Sequence, residues 1–322
     1  MKAITIGAIL AGLSLAACGS GGGGSTTGNT PTPTPTTSPT PTPTPTPPAS
    51  YTSFDSLTGN QNFASTCAAL LLNGNPPQVT PATPYGQGVN IAYDSPTATY
   101  TLSANGQTQT FGPADVDPAA PAPAKAYVKF TPSGARADSF VLFNPGAGGS
   151  GLTYARAVQW RNTASIPTLT INFCGIGVQT RVNDAPPVTS VSFTRSGITG
   201  SAFLRNPSGS TTQFSLVKST IGMTVNLTTG KIVATMNLVG TPLPTGSGAD
   251  VDLGTFTGDG DIDPSTGNYY GSWSGTTRPV IGNFGGAFFG PQGQEYGYSF
   301  NMLNFGGGTL DFSVAGAVFG AR

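Results

Sequence analysis

The chain has 322 residues, with 13 Lys+Arg against 13 Asp+Glu, no His, 46 Gly, 29 Pro and only 8% charged residues. A nucleic-acid binder neutralises phosphates with a basic excess, which a formal net charge of zero does not supply; without His, a His general base and any His-bearing zinc site are excluded. So few Glu, Lys and Arg also argue against a long charged helix or coiled coil, while the length allows one or two domains with a sizeable core.

At the N-terminus, Lys2 gives a positive start and Ile4 to Ala17 form a short apolar run, below the ~20 residues that span a bilayer. The run ends in Leu15-Ala16-Ala17-Cys18. Small residues before the cut are what a signal peptidase requires. A Cys directly after it looks like a bacterial lipobox, in which the thiol takes a diacylglyceryl group. The expectation is a signal peptide over 1–17 and lipidation of Cys18, with several acyl chains holding the chain to a membrane more firmly than one. Gly19 follows the Cys; the absence of Asp there resembles the outer-membrane default. Removal of Lys2 leaves 12 Lys+Arg (13 − 1) against 13 Asp+Glu, a mature charge of −1.

Residues 18–50 read as a disordered tether. Gly19 to Gly28 are nearly all Gly, Ser and Thr, and from Thr30 to Pro48 Pro and Thr alternate. Pro fixes φ and favours polyproline II, and the segment has no apolar side chains to bury.

From Tyr51 on the pattern is β. Short alternating runs are punctuated by Gly, Thr, Ser, Asn and Pro, as in sandwiches and barrels. In the first part, strands are expected at Val89 to Tyr93, Ala98 to Leu102, Ala126 to Phe130, Ser139 to Phe143 and Leu152 to Trp160. Ala64 to Leu72 read as either a short helix or a buried strand. Eight strands follow at regular spacing: Val188 to Arg195, the hairpin Met223 to Leu227 and Ile232 to Leu238, then Val251 to Asp259, Asn268 to Thr277, Gly282 to Phe289, Glu295 to Leu303 and Thr309 to Phe319. Glycines inside these strands (Gly271, Gly275, Gly285, Gly286) suggest the sharp curvature of a small closed barrel. The predicted fold is all-β: a smaller N-terminal sheet domain over 51–170 and a C-terminal eight-stranded antiparallel barrel over 171–322, with a soft boundary.

The segment Gly286-Ala287-Phe288-Phe289-Gly290-Pro291-Gln292-Gly293-Gln294-Glu295-Tyr296-Gly297-Tyr298-Ser299-Phe300 and the terminal Val318-Phe319-Gly320-Ala321-Arg322 resemble the barrel end of the transferrin-binding protein B family. The family pattern is close to G-x-F-F/Y-G-P-x-A-x-E-x-G-G-x-F, followed by a last strand ending F-G-A and a basic residue. This chain departs at Gly293, where Ala is usual, and at Tyr298, where a second Gly is usual. Similar changes mark the divergent transferrin-binding protein-like solute-binding lipoproteins. The close match covers about the last forty residues; lipobox, tether, "handle" sheet and barrel extend it as a layout. The resemblance implies a monomeric, non-enzymatic lipoprotein of the outer membrane, facing the cell surface. Such a protein binds a solute or a carrier protein, iron- or haem-related, and acts with an outer-membrane transporter.

Candidate site residues are few. Gly290, Pro291, Glu295 and Gly297 read as structural: a strand stop, a turn, and the only Glu of the chain, expected to pair with an Arg or with turn amides. Asp259, Asp261 and Asp263 alternate like oxygen ligands of a Ca²⁺ loop, although Pro264 and Tyr270 depart from an EF-hand, and an outward-facing strand running into a turn explains them equally well. Cys67 and Cys174 are either joined as a disulfide or buried as free thiols. No cofactor is expected: haem would need Tyr or Met as axial ligand. The tyrosines and tryptophans Tyr154, Trp160, Tyr269, Tyr270, Trp273, Tyr296 and Tyr298 make either barrel core or an aromatic ligand face. The competing functional readings are an adhesive or envelope-structural module without a soluble ligand, and an enzyme resting on the acidic cluster alone.

Overall fold

Among the described residues, runs of β-branched, aromatic and small residues cut by turn formers build twenty strands and three single 3₁₀ turns. The computed structural model describes residues 50–120, 124–132, 134, 136–145, 151–163, 169–244 and 247–322. The expected signal peptide, Cys18 and all but the end of the tether lie outside them.

The first half makes two sheets. One has the order β1 (Gln61–Phe63), β4 (Asn90–Asp94), β5 (Thr99–Ala104), β6 (Gln107–Phe111). The other runs β3 (Gln78–Val79), β2 (Thr66–Leu71), β10 (Thr170–Gly177), β9 (Ala155–Asn162), β8 (Arg136–Phe143), β7 (Lys125–Phe130). The two sheets share a core of Ile91, Leu102 and Phe111 from the first with Phe140, Trp160 and Ile176 from the second. The segment left open between helix and strand is β2. Its backbone pairs on both sides and its side chains are buried on both faces, so its continuous apolar run suits a doubly covered strand.

The expected junction at 170/171 is corrected. Residues Thr170–Gly177 form β10, which pairs with β2 along one edge and β9 along the other, so the handle sheet runs through Gly177. All described residues belong to a single compact unit.

The remaining strands are β11 (Ser190–Phe193), β12 (Arg195–Arg205), β13 (Thr211–Ser215), β14 (Thr220–Asn226), β15 (Lys231–Pro242), β16 (Val251–Ile262), β17 (Tyr269–Gly275), β18 (Ile281–Phe289), β19 (Glu295–Gly306) and β20 (Thr309–Ala321). They form one antiparallel sheet that closes on itself, because β15 pairs with β16 as well as with β13 and β14. Strands β11 and β12 follow one another along β14, β13 and β20, and β13 and β14 share the same edge of β15. Ten strands thus make eight staves, the expected number. Two staves are broken, and Arg195–Arg205 and Thr211–Ser215 extend beyond the sequence-based strands.

Burial follows the two possible surroundings of a stave. In β15 the pattern alternates strictly, with Ile232, Ala234, Met236 and Leu238 inward, as for a sheet with one wet face. Away from their connecting hairpin, β19 from Glu295 to Met302 and β20 from Phe312 to Ala321 are buried at every residue. Tyr296, Tyr298, Phe300 and Met302 fill the barrel, while Ala287, Ala315, Ala317 and Phe319 turn outward against Ala68, Leu70 and Phe173 of the six-stranded sheet. Small outward residues let the two backbones approach, and the Ser299 hydroxyl donates across the seam to the Phe173 carbonyl (2.9 Å).

Candidate functional site

The terminal motif is a clasp between handle and barrel. Glu295 opens β19 and is 3% exposed. Its Oε1 accepts the Thr153 amide at 2.6 Å, and its Oε2 accepts the Tyr154 and Ala155 amides, both at 2.9 Å. A buried carboxylate is tolerated when such donors replace its water. Beside it Arg156, 4% exposed, donates from Nη1 to the carbonyls of Leu152 and Ala155 (both 2.7 Å) and from Nη2 to Asp55 (2.6 Å), with its guanidinium 4.8 Å from the Phe54 ring centroid. Glu295 is therefore held by turn amides rather than by Arg. Gly290 sits at φ 72°, where a Cβ would lie 2.3 Å from the Tyr154 ring. Pro291 starts the 3₁₀ turn Pro291–Gly293, and the Gly297 carbonyl accepts the Tyr269 hydroxyl at 3.0 Å.

Cys67 and Cys174 stand directly opposite one another in the β2–β10 register and are joined by a disulfide across 107 residues. The Val89 amide donates to the Cys67 sulfur at 3.2 Å.

The acidic candidates are not gathered into one shell. Asp259 and Asp261 point outward from β16, and Asp261 pairs with Lys231 of the neighbouring stave at 2.5 Å. Asp263 is spent on its own turn: it accepts the Ser265 hydroxyl (2.7 Å), the Ser265 amide (2.8 Å) and the Thr266 hydroxyl (3.0 Å), and these bonds hold its carboxyl below the usual range. Among the described residues no group of three His, Cys, Asp or Glu could hold a metal ion. The strand-into-turn account describes this stretch.

The aromatic candidates divide. Tyr269, Trp273, Tyr296 and Tyr298 are barrel core, Trp160 is handle core, Tyr154 packs at the seam, and Tyr270 is 45% exposed.

Three concavities stand out among the described residues. At one end of the barrel a slot of about 140 Å³ has an apolar floor of residues such as Val191, Phe193, Leu227 and Phe288, with Arg181, Asp184 and Asp263 also lining it. The other two adjoin between the handle sheets, at about 430 and 390 Å³, and share Tyr93, Tyr100 and Lys125. The Tyr93 and Tyr100 rings pair across β4 and β5 with centroids 4.7 Å apart. Tyr127 of β7 meets Tyr100 at 5.8 Å. Burial pushes the Tyr100 phenol up, and the neighbouring Tyr127, Tyr93 and Asp55 push it further. Tyr127 is raised by burial and by Tyr93. These phenols stay neutral donors at physiological pH.

The sequence reading passed over Lys125 and Arg156. The signal was present: in Lys125-Ala-Tyr127-Val-Lys129 the alternation puts both lysines on the face of Tyr127, which looks into the inter-sheet layer. Lys129 lies 3.7 Å from Asp115 and Arg156 bonds Asp55, whereas Lys125 has no carboxylate partner among the described residues.

No protein-family model matches the chain, and no curated protein does. Among solved structures it is similar to a double mutant of Transferrin Binding Protein B from Haemophilus parasuis Hp5 (11% identity over 83% of this chain and 76% of that one, TM-score 0.39). It is similar also to isotype 1 Transferrin binding protein B from serogroup B Neisseria meningitidis (15%, 80% and 43%, TM-score 0.40), and to the N-lobe domain of Lactoferrin Binding Protein B of Moraxella bovis (9%, 79% and 98%, TM-score 0.35).

Proposed function

We propose that this chain is a non-enzymatic binding lipoprotein of the outer membrane. On this reading residues 1–17 are removed, Cys18 carries the lipid, and 18–50 hold the folded part away from the membrane. The protein faces the cell surface and captures a solute or its carrier, iron- or haem-related carriers included, for delivery to an outer-membrane transporter. The anchor rests on the register of apolar run, Leu15-Ala16-Ala17 and Cys18. The observation that carries the binding role is the adjoining pair of polar-lined handle cavities, of a size suited to small ligands.

Two experiments test this reading. Cys18→Ala is expected to abolish palmitate labelling and to release the protein from the membrane fraction; retention of both removes the anchor. Tagged, lipid-free chain from residue 19 on is then incubated with detergent-solubilised outer membranes and growth medium, and bound species are identified by mass spectrometry. Recovery of a transporter, a carrier or a small solute supports the co-receptor reading. Recovery of nothing by folded protein favours an adhesive or envelope-structural role.

A further inference from the structure

We propose that the paired handle cavities form a binding site for a small organic anion with a planar aromatic body, its acidic group held at Lys125 and its ring system against Tyr93 and Tyr100. This names a ligand class for the solute-binding reading above and rests on it.

The argument starts from charge balance inside the sandwich. The layer between two packed sheets is normally apolar, and a cation placed there needs a partner. Arg156 is buried in this layer and Lys129 is half-buried beside it, whereas Lys125 is exposed where the cavities open. Two of them have their carboxylate, Asp115 and Asp55. Lys125 pairs in register with Leu142, borders both cavities and has no acid or hydrogen-bond acceptor among the described residues. Its ammonium offers three donors and no acceptor, so the group it presents to the cavities is suited to an anion.

The second part is aromatic. Tyr93 and Tyr100 also border both cavities. Their hydroxyls have no hydrogen-bond partner among the described residues. The raised pKa of Tyr100 keeps its hydroxyl a neutral donor and prevents it from repelling an anion. Rings of this kind recognise a flat apolar body by stacking, while their hydroxyls and the ammonium orient its charged end. The remaining acid of the second cavity, Asp117, has its Oδ1 occupied by the Ala119 amide at 3.0 Å, which places the ligand's acidic end in the first cavity, beside Lys125. The barrel-end slot also carries a cation, Arg181, but together with the acids Asp184 and Asp263, and the Arg181 guanidinium lies 5.5 Å from the Tyr51 ring centroid.

The test uses two dyes of nearly the same shape on the chain from residue 19 on, which contains every described residue: 8-anilinonaphthalene-1-sulfonate, an aromatic anion, and N-phenyl-1-naphthylamine, its neutral counterpart. Fluorescence titration and equilibrium dialysis are expected to give one saturable sulfonate site. Lys125→Gln, at an exposed position, should weaken the sulfonate about tenfold, as for loss of one charged hydrogen bond, and leave the neutral dye unchanged. Tyr93→Leu should weaken both dyes by about two- to tenfold. Circular dichroism of each variant establishes that the fold is kept. The proposal is overturned if no saturable sulfonate binding occurs, if Lys125→Gln affects neither dye or both alike, or if Val182→Asp at the barrel-end slot removes the binding instead. Failure here with a protein partner recovered in the capture experiment removes the anion site and leaves the lipoprotein reading standing; failure of both removes both.

Discussion

The Glu295 carboxylate and the Thr153 amide lie 2.6 Å apart although 142 residues separate them in the chain. With the Tyr154 and Ala155 amides on its other oxygen, this single side chain satisfies the backbone where β9 begins and ties the handle to the barrel. Glu295→Gln keeps the shape but turns an NH₂ toward an amide that needs an acceptor. The expected loss is about 2–3 kcal/mol, and about 3–5 kcal/mol for Glu295→Ala, since charged hydrogen bonds are lost and buried donors stranded. Urea denaturation checks this; a shift under 1 kcal/mol for both variants would show that the clasp is not structural.

The Cys67–Cys174 bond closes a loop with a sequence separation of 107 residues. In the chain-entropy picture such a loop contributes about 4–5 kcal/mol by restricting the unfolded chain. The Cys67→Ser/Cys174→Ser double variant is expected to unfold at markedly lower guanidinium concentration, and reductant should lower the midpoint of the native protein but not of the variant. Two titratable thiols in the unreduced, denatured protein would contradict the bond.

Alkali should unfold this protein in a characteristic way. Burial pushes the phenols of Tyr269 and Tyr298 well above their ordinary value of 10, and Tyr296 is raised by burial too. The folded state keeps these protons at a pH where the unfolded chain has released them. Their contribution is therefore complete below about pH 10 and is lost as pH rises beyond it. Phenolate absorbance from these residues should appear together with the loss of near-ultraviolet circular dichroism. A smooth, non-cooperative titration of all tyrosines with the fold intact would rule this out.

Gly290 combines a left-handed backbone with a neighbour that leaves no room, since a Cβ would fall 2.3 Å from the Tyr154 ring. Gly290→Ala is expected to cost about 2–4 kcal/mol from strain and overpacking together. A thermal melt that leaves the midpoint unchanged would show that the Tyr154 ring moves aside freely.

The sequence was most legible where one face of a strand is wet. Ile232, Ala234, Met236 and Leu238 declared β15 outright, and the hairpin to β14 came with it. It was least legible where surroundings are set by partners distant in sequence. The run through Ala68, Ala69 and Leu70 fits a helix or a strand equally well until β10 is laid beside it. The same β10 defeated the expected boundary, because its membership of the handle depends on register with β2 and β9 rather than on composition. In β12, Ser196, Gly197, Thr199, Gly200 and Ser201 blur the alternation, since half of that stave packs through small residues. The amides that receive Glu295 of the terminal motif lie at 153–155, where nothing local marks them. Lys125 escaped notice because it is an exposed Lys in a strand, and only the cavities formed with the second sheet set it apart.

The barrel closes through its last stave: β20 lies between β12 and β19, pairing with one from Arg195 to Leu204 and with the other from Glu295 to Gly306. A chain delivered N-terminus first therefore carries an open sheet edge at β12 for more than a hundred residues of travel, and contacts of this sequence separation form slowly. Until residue 321 arrives, that edge is a template for any other extended chain. A cut removing only β20 would leave two unpaired edges, at β12 and β19, a disturbance far larger than thirteen residues suggest.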